Sequence, residues 1–339
     1  MYELSRTDFG DLLAGEPRYR VDQVWEGLYR QFTPPWELTT LPKGLRARLE
    51  AEPALAPALA AVAESTADGG ATVKWLWSLG DGARIETVLM HYPVKRSTVC
   101  VSTQAGCAMA CGFCATGQAG FERHLTTGEI VEQVTRAARA AADSGRRLSN
   151  VVFMGMGEPL ANYDRVWGAV ERLHGNVGLS ARHLTISTVG IVPGIRRLAT
   201  ERLPVNLAVS LHAANDRLRD ELVPINRRYP LAELRTACTE YLAAKGRRLS
   251  FEWALIAGVN DRPTDAGELA AFARPLGAHV NLIPLNPTPG YAARGTPPAG
   301  VRAFRDRLRD RGVNATIRRN RGTDIDAACG QLAATWRSG

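Results

Sequence analysis

Cysteine is scarce: six in 339 residues, too sparse for a disulfide scaffold. Long apolar runs are missing as well. The most apolar stretch, Pro53 to Ala63, is short and broken by proline, which excludes a bilayer-spanning helix there. The N-terminus, Met1-Tyr2-Glu3-Leu4-Ser5-Arg6-Thr7-Asp8, lacks the charged-then-apolar pattern of a secretory leader, so a soluble cytoplasmic protein is expected. No phosphate-binding glycine loop and no repeat of fixed period is present. Acidic residues are in deficit, 34 against 42 Lys and Arg, giving a formal charge of +8. That balance leans toward a polyanionic partner without specifying any chemistry. What remains is ordinary globular composition, 45% apolar and 22% charged, with material for a sizeable core.

The chain changes character along its length. Residues 1 to about 80 read as a small, mostly helical accessory region suited to RNA binding. Within it, Val21, Val24, Trp25 and Leu28 share one helical face. The segments 71–77 and 85–89 read as a hairpin around Gly80-Asp81-Gly82, reaching to about residue 90. Residues 91–339 alternate strands with helices. The candidate strands are Ser97–Ser102, Asn150–Met154, His183–Ser187, Val205–Leu211, Ser250–Leu255 and His279–Leu285. Between them, Thr126-x-x-Glu129 is a capping box that opens an apolar stripe of Ile130, Val131, Val134, Ala138 and Ala141, and Gly145 closes it. Alternation of this kind implies parallel strands with crossover helices. Six units are too few for a closed eight-stranded barrel, so the expected fold is α/β, an open partial (β/α)6 barrel. Ligands of such folds sit in the loops after the strands' carboxyl ends, and those loops hold the unusual residues of this sequence.

Three of the six cysteines fall in one such loop, Cys107-Ala-Met-Ala-Cys111-Gly-Phe-Cys114. A four-ligand zinc site would normally bring a second cysteine or histidine pair nearby, and none is there. Three thiolates suit a [4Fe–4S] cluster with one iron left open, on which the amino and carboxylate groups of S-adenosylmethionine (SAM) could bind. The bland alternative, three buried apolar cysteines, fits poorly in a glycine-containing loop with polar flanks. The spacing CxxxCxxC with an aromatic residue before the last cysteine resembles the radical SAM superfamily signature. A longer set of motifs resembles the RlmN/Cfr family of RNA adenine methyltransferases. It comprises Cys100-Val-Ser-Thr-Gln-Ala-Gly-Cys107 through Cys114-Ala-Thr-Gly, Met154-Gly-Met-Gly-Glu-Pro-Leu160, Ser187-Thr-Val-Gly190, Ser210-Leu-His212, Asn286-Pro-Thr-Pro-Gly290 and Asp324-Ile-Asp-Ala-Ala-Cys-Gly-Gln-Leu332.

The resemblance assigns roles that the residues alone leave open. By themselves Cys329 is a loop thiol, Cys100 a strand cysteine and Glu86 a strand carboxylate. The family implies that Cys329 carries a methyl group, that Cys100 resolves the intermediate through a disulfide, and that Glu86 accepts the ring proton. Two thiols make chemical sense, because an amidine carbon of adenine is not nucleophilic and direct methyl transfer from SAM fails. One SAM would methylate Cys329 by displacement, and a second would supply the radical, two being consumed per turnover. Thiol exchange with Cys100 would then free the product. Gly157 and Glu158, Ser187, Ser210, Leu211, His212 and Asn286 form the implied SAM pocket, with Glu158 accepting from the SAM ammonium. Cys238, on a helix with Leu234 and Tyr241, reads as core.

Residues 302–321 hold eight arginines against two aspartates. With Val301, Phe304 and Leu308 facing the core, Arg302, Arg305 and Arg309 point outward, either as a solvated face or toward RNA phosphates. Arg18, Arg20, Trp25, Tyr29 and Arg30 could add to that surface. The family's partners are 23S rRNA and tRNA and a flavodoxin-type electron donor, no membrane is implied, and a monomer is expected. The target base must be unstacked to reach such a pocket. Glu158-Pro159-Leu160 looks more like RlmN-type enzymes, which methylate carbon 2, than like Cfr-type enzymes, which methylate carbon 8. A passive metal-stabilised RNA-binding protein is the alternative from another class, and it would need neither Cys329 nor Cys100.

Overall fold

The computed structural model describes residues 1–332. Its strands are β1 (Leu59–Ala67), β2 (Thr72–Leu79), β3 (Arg84–Tyr92), β4 (Arg96–Cys100), β5 (Gln104–Gly106), β6 (Phe121–His124), β7 (Arg147–Phe153), β8 (Leu184–Thr188), β9 (Asn206–Ser210), β10 (Leu249–Leu255), β11 (His279–Pro284) and β12 (Ala315–Ile317). Ten of them make one sheet in the order β1-β2-β3-β4-β7-β8-β9-β10-β11-β12, and β5 with β6 makes a separate ribbon. From β4 through β12 the large sheet is parallel. From β1 to β4 it is antiparallel.

The six expected strands are β4 and β7–β11, neighbours in chain order, so the open partial barrel of the radical SAM type is what the chain forms. Crossover helices separate them, including Thr127–Asp143, Tyr163–Gly175, Leu231–Lys245 and Pro263–Ala273. The first of these starts as its sequence requires. The Thr126 side chain accepts from the Glu129 amide, and the Glu129 side chain from the Thr126 amide. Gly145, at φ +66, ends the connection. The stripe Ile130, Val131, Val134, Ala138 and Ala141 is buried against the sheet, which is where most of the helix's stability arises. Among the described residues no helix is long and apolar enough to cross a membrane.

Two elements differ from expectation. Helices in the N-terminal region end at Glu50, with Arg6–Leu12, Tyr19–Tyr29 and Lys43–Glu50. The Ala- and Pro-rich stretch then runs into β1, which pairs along β2 with a bulge between Ala61 and Ala63. Alanine has poor strand propensity, but pairing to a neighbouring strand decides the outcome. Because β3 in turn pairs with β4, the hairpin is continuous with the core sheet. The other element, β12, adds a seventh parallel strand of only three residues, too short to carry a periodic signal.

Candidate active site

The loops after β4, β7, β8, β9 and β11, with the end of β10, meet around one cavity. Its lining includes Cys107, Cys111, Cys114, Gly157, Glu158, Ser187, Ser210, His212, Asn286 and Cys329. The cysteine loop is held tightly. The Cys107 amide donates to the Gly120 carbonyl at 2.7 Å and the Cys114 amide to the Cys111 carbonyl at 3.1 Å. Burial pushes the Cys107 thiol up to about 12 and raises Cys111 and Cys114 as well, the neighbouring thiols adding to the effect at Cys107 and Cys111. Thiols so placed become thiolates only against a strong local positive charge, which is the donor chemistry an iron–sulfur centre needs. Among the described residues no three His, Cys, Asp or Glu side chains are grouped for a single metal ion. The three cysteines line the same cavity. Phe113, expected beside the cofactor's adenine, packs edge-on to His212 with ring centres 4.8 Å apart.

After β7 the chain must pass very close to the segment after β4. A Cβ on Gly155 would lie 2.7 Å from the Val101 carbonyl carbon, and one on Gly157 (φ +98) 2.5 Å from Gln104 Cβ. Glycine is required at both positions. Gln104 Oε1 accepts the Glu158 amide at 2.8 Å, aiming a carboxyl that is 2% exposed into the cavity wall. Burial pushes that carboxyl up to about 7, against the opposing pull of the Val189 and Leu160 amides and the Thr188 side chain. The Leu160 amide donates to Oε1 at 3.0 Å and the Val189 amide to Oε2 at 2.8 Å. His212 takes a left-handed backbone, φ +57. Its Nδ1 accepts the Ala254 amide at 3.0 Å, and burial, reinforced by Arg219, lowers it to about 3. The ring is therefore neutral with its proton on Nε2. Leu211 differs from its neighbours: its side chain joins the apolar core, fully buried.

The C-terminal segment lies across this cavity. The Ala115 amide donates to the Gly330 carbonyl at 2.7 Å, Thr116 Oγ1 to the Leu332 carbonyl at 3.1 Å, and Asn286 Nδ2 to the Cys329 carbonyl at 3.0 Å. Asn286 thus borders the cavity and pins the cysteine at once. On the other side of Cys329 lies a second cavity, lined by Val88, Met90, Cys100, Met154, Arg318 and Cys329. Cys329, Met154, Arg318 and Leu332 border both spaces, so the Cys329 sulfur stands between the cluster loop and Cys100. No disulfide joins the pair here; all six cysteines are free. The disulfide expected between Cys100 and Cys329 is not formed in this structure. Burial pushes the Cys100 thiol up to about 12, with Cys329 adding to the shift. Glu86 is fully buried, on the face of β3 that also carries Val88 and Met90. Its carboxylate Oε1 lies 2.9 Å from Lys74 Nζ.

Known proteins share this arrangement. Residues 101–270 match the Radical SAM superfamily. A protein of Parafrankia sp. (strain EAN1pec) named "Probable dual-specificity RNA methyltransferase RlmN" is 54% identical over 94% of this chain and 87% of its own length. A protein of the same name from Roseiflexus sp. (strain RS-1) is 48% identical over 98% of this chain and 96% of its own. The crystal structure of a radical SAM methyltransferase from Sphaerobacter thermophilus superposes with a TM-score of 0.93 at 50% identity, covering 98% of this chain and 99% of that one.

The chain belongs to the RlmN family of radical SAM RNA methyltransferases.

Membership makes this a SAM-dependent RNA methyltransferase, and the superfamily implies a [4Fe–4S] cluster and SAM. It also removes the passive RNA-binding alternative.

In this RlmN-family enzyme several residues that shape the site gave no sequence signal. Arg219, fully buried, donates to the carbonyls of Val189 (2.6 Å), Leu211 (3.1 Å) and Ser210 (3.4 Å), lacing together two of the cavity's loops. Ser102 Oγ donates to the Glu86 carbonyl at 2.6 Å and accepts the Met156 amide at 3.0 Å. Gln133, whose Nε2 donates to the Ser102 carbonyl at 3.0 Å and whose Oε1 accepts its amide at 2.9 Å, was the one legible clue, an amide within an apolar helical stripe. Arg318 sits among Cys329, Cys100 and Glu252, its Nη1 3.8 Å from the Glu252 carboxylate. The surface expectations divide. Val301, Phe304 and Leu308 are buried, while Arg302 and Arg309 are exposed. Arg318 faces the cavities, and Arg321 donates to the His91 carbonyl at 2.7 Å. Tyr29 is 1% exposed and Trp25 packs on it and on Phe9, so these two rings build the N-terminal core.

Proposed function

We propose that this enzyme methylates carbon 2 of an adenosine in 23S rRNA and in tRNA, with Cys329 carrying the methyl group as S-methylcysteine. The observation that carries the reading is the position of Cys329, bordering the cluster-side cavity and the Cys100 cavity together. A methyl carrier needs that placement, because one sulfur must meet SAM first and a resolving thiol last.

Cys107, Cys111 and Cys114 would hold the cluster, which when loaded supplies the electron that cleaves SAM to a carbon radical. The chain's own residues perform the rest. Glu158, Ser187, Ser210, His212 and Asn286 bind and orient SAM. Cys329, as thiolate, displaces the methyl group of the first SAM, forming an S–C bond and releasing S-adenosylhomocysteine. Transfer of a hydrogen atom from that methyl group to the SAM-derived carbon radical leaves a methylene radical on Cys329, which bonds to the ring carbon. The adduct gives up one electron, which the loaded cluster would take back, and Glu86 takes the ring proton. Cys100 then attacks the Cys329 sulfur, the S–C bond breaks, and the carbon takes a proton to become the new methyl group. The disulfide that results is transient and is reopened by two electrons from outside, for which a flavodoxin-type donor would serve. The neutral Nε2–H of His212 and the carboxyl of Glu158 offer one donor and one acceptor to the cofactor.

The reading of carbon 2 rather than carbon 8 is supported by the RlmN name of the relatives and by Glu158-Pro159-Leu160. The enzyme acts in the cytoplasm as a monomer, with the exposed arginines of 302–309 meeting RNA phosphates. The test is mass-spectrometric mapping of methyladenosine isomers in rRNA and tRNA from cells with and without the gene. Loss of the 2-methyl form is expected. Loss of the 8-methyl form would indicate Cfr-type chemistry, and no loss of either would defeat the proposal.

A further inference from the structure

Lys74 is a buried lysine with two partners, the Glu86 carboxylate and the Asp326 backbone. It lies on β2 directly opposite Val88 of β3, and Val88 lies directly opposite Cys100 of β4. Side chains opposite one another on a sheet share a face, so Lys74, Val88 and Cys100 form one row beneath the Cys329 segment. Glu86 stands on that face two residues from Val88. Lys74 Nζ is 2.9 Å from Glu86 Oε1 with both side chains under a tenth exposed. The same Nζ donates to the Asp326 carbonyl, three residues before Cys329, at 3.4 Å. The segment is tied down on this side again where the Gly322 amide donates to Asp68 Oδ2 at 3.2 Å, and Asp68 in turn accepts from Thr72 Oγ1 at 2.6 Å.

A buried ion pair adds little net stability over apolar residues of equal volume, and fixing a lysine chain costs rotamer entropy. Something other than stability suits a lysine here. We propose that Lys74 is a positioning residue for Glu86, holding its carboxylate aimed while the Cys329 segment is docked, so that the proton acceptor and the methyl carrier are set together. The inference rests on the reading of Glu86 as proton acceptor and of Cys329 as methyl carrier. The step it serves moves one proton from the ring carbon to a Glu86 oxygen, with no electron transferred. Lys74 takes no part in the transfer and holds the carboxylate in place before the step. Methylation of Cys329 by displacement does not involve that proton, so Lys74 should matter for the second half of the reaction and not for the first.

The experiment compares wild type, K74M, K74R, E86Q and the K74M/E86Q pair as anaerobically purified, cluster-loaded enzyme. Three quantities are followed: S-methylation of Cys329 by peptide mass spectrometry, 5′-deoxyadenosine formed, and methyladenosine formed in RNA. K74M should lower methyladenosine formation by about tenfold or more, a modest share of what a general base contributes, with Cys329 methylation unchanged within about twofold. K74R should recover most of the product, and the double variant should be no worse than E86Q, since residues acting through one group are not additive. If E86Q loses product while K74M does not, the inference is overturned and the role of Glu86 stands. If E86Q keeps full activity, the reading of Glu86 itself has failed. If K74M loses Cys329 methylation as severely as product, Lys74 merely shapes the segment, which also overturns the inference. K74Q, of similar length and still a donor, carries the same comparison should K74M not fold.

Discussion

Replacing Glu158 with glutamine should flatten the pH dependence of SAM binding. In the ligand-free protein burial pushes this carboxyl from the ordinary 4.5 to about 7. Its folded-state value is raised, so folding takes up a proton between those limits. The stability tied to this group is therefore present below 4.5 and lost as pH rises toward 7. The shift of about 2.5 units corresponds to roughly 3 kcal/mol over that window. An amino group of SAM donating to the carboxylate favours the ionised form, so binding must expel the proton below about pH 7. At about pH 6 only about a tenth of the carboxyl is ionised, and the dissociation constant should be about tenfold weaker than at about pH 8, above which it levels off. E158Q should bind more weakly at every pH, by about tenfold or more for a lost charge-assisted contact, and without that slope. Calorimetry on anaerobic, cluster-loaded enzyme, run in two buffers of different ionisation heat, reads affinity and protons released together. Equal slopes in wild type and E158Q, or no proton release at about pH 6, would refute the argument.

Gly157→Ala places a methyl group 2.5 Å from Gln104 Cβ at φ +98. A loss of about 1–3 kcal/mol in denaturant unfolding is expected, with SAM cleavage impaired beyond what that loss explains. Arg318→Met removes the cation facing Cys329 and Cys100. S-methylation of Cys329 should slow by about tenfold, and an unchanged rate would deny Arg318 a part in that step. Cys100→Ser should leave Cys329 methylation intact and trap RNA on Cys329, visible as a band resistant to denaturing electrophoresis, whereas Cys329→Ala should give neither product nor band. Free turnover by C100S would remove Cys100 from the scheme.

The barrel and its cofactor loops were legible in the chain because their causes are local. Six apolar runs of strand length, a capping box at Thr126 and turn glycines fix where elements start and stop. Three thiols within one loop constrain their chemistry whatever surrounds them. The same locality explains the misses. β1 is a strand because β2 offers it a ladder, which alanine-rich composition does not announce. Tyr29, offered by the sequence as part of an RNA-facing surface, is buried, and Trp25 packs half-buried against it, since burial depends on what packs over a helix face.

By itself the sequence determined the three-cysteine loop, the crossover order and the residues available for chemistry, all set by spacing along the chain and by intrinsic side-chain preference. Only the tertiary structure decided that Cys329, more than two hundred residues downstream of the cluster loop, lies between that loop and Cys100. It alone put Lys74 against Glu86, and Arg219 and Ser102 beneath the loops they hold. Those meetings arise from strand register and from a C-terminal segment pinned by Ala115, Thr116 and Asn286, and register across a sheet is a property of several segments at once, which no single stretch of sequence carries.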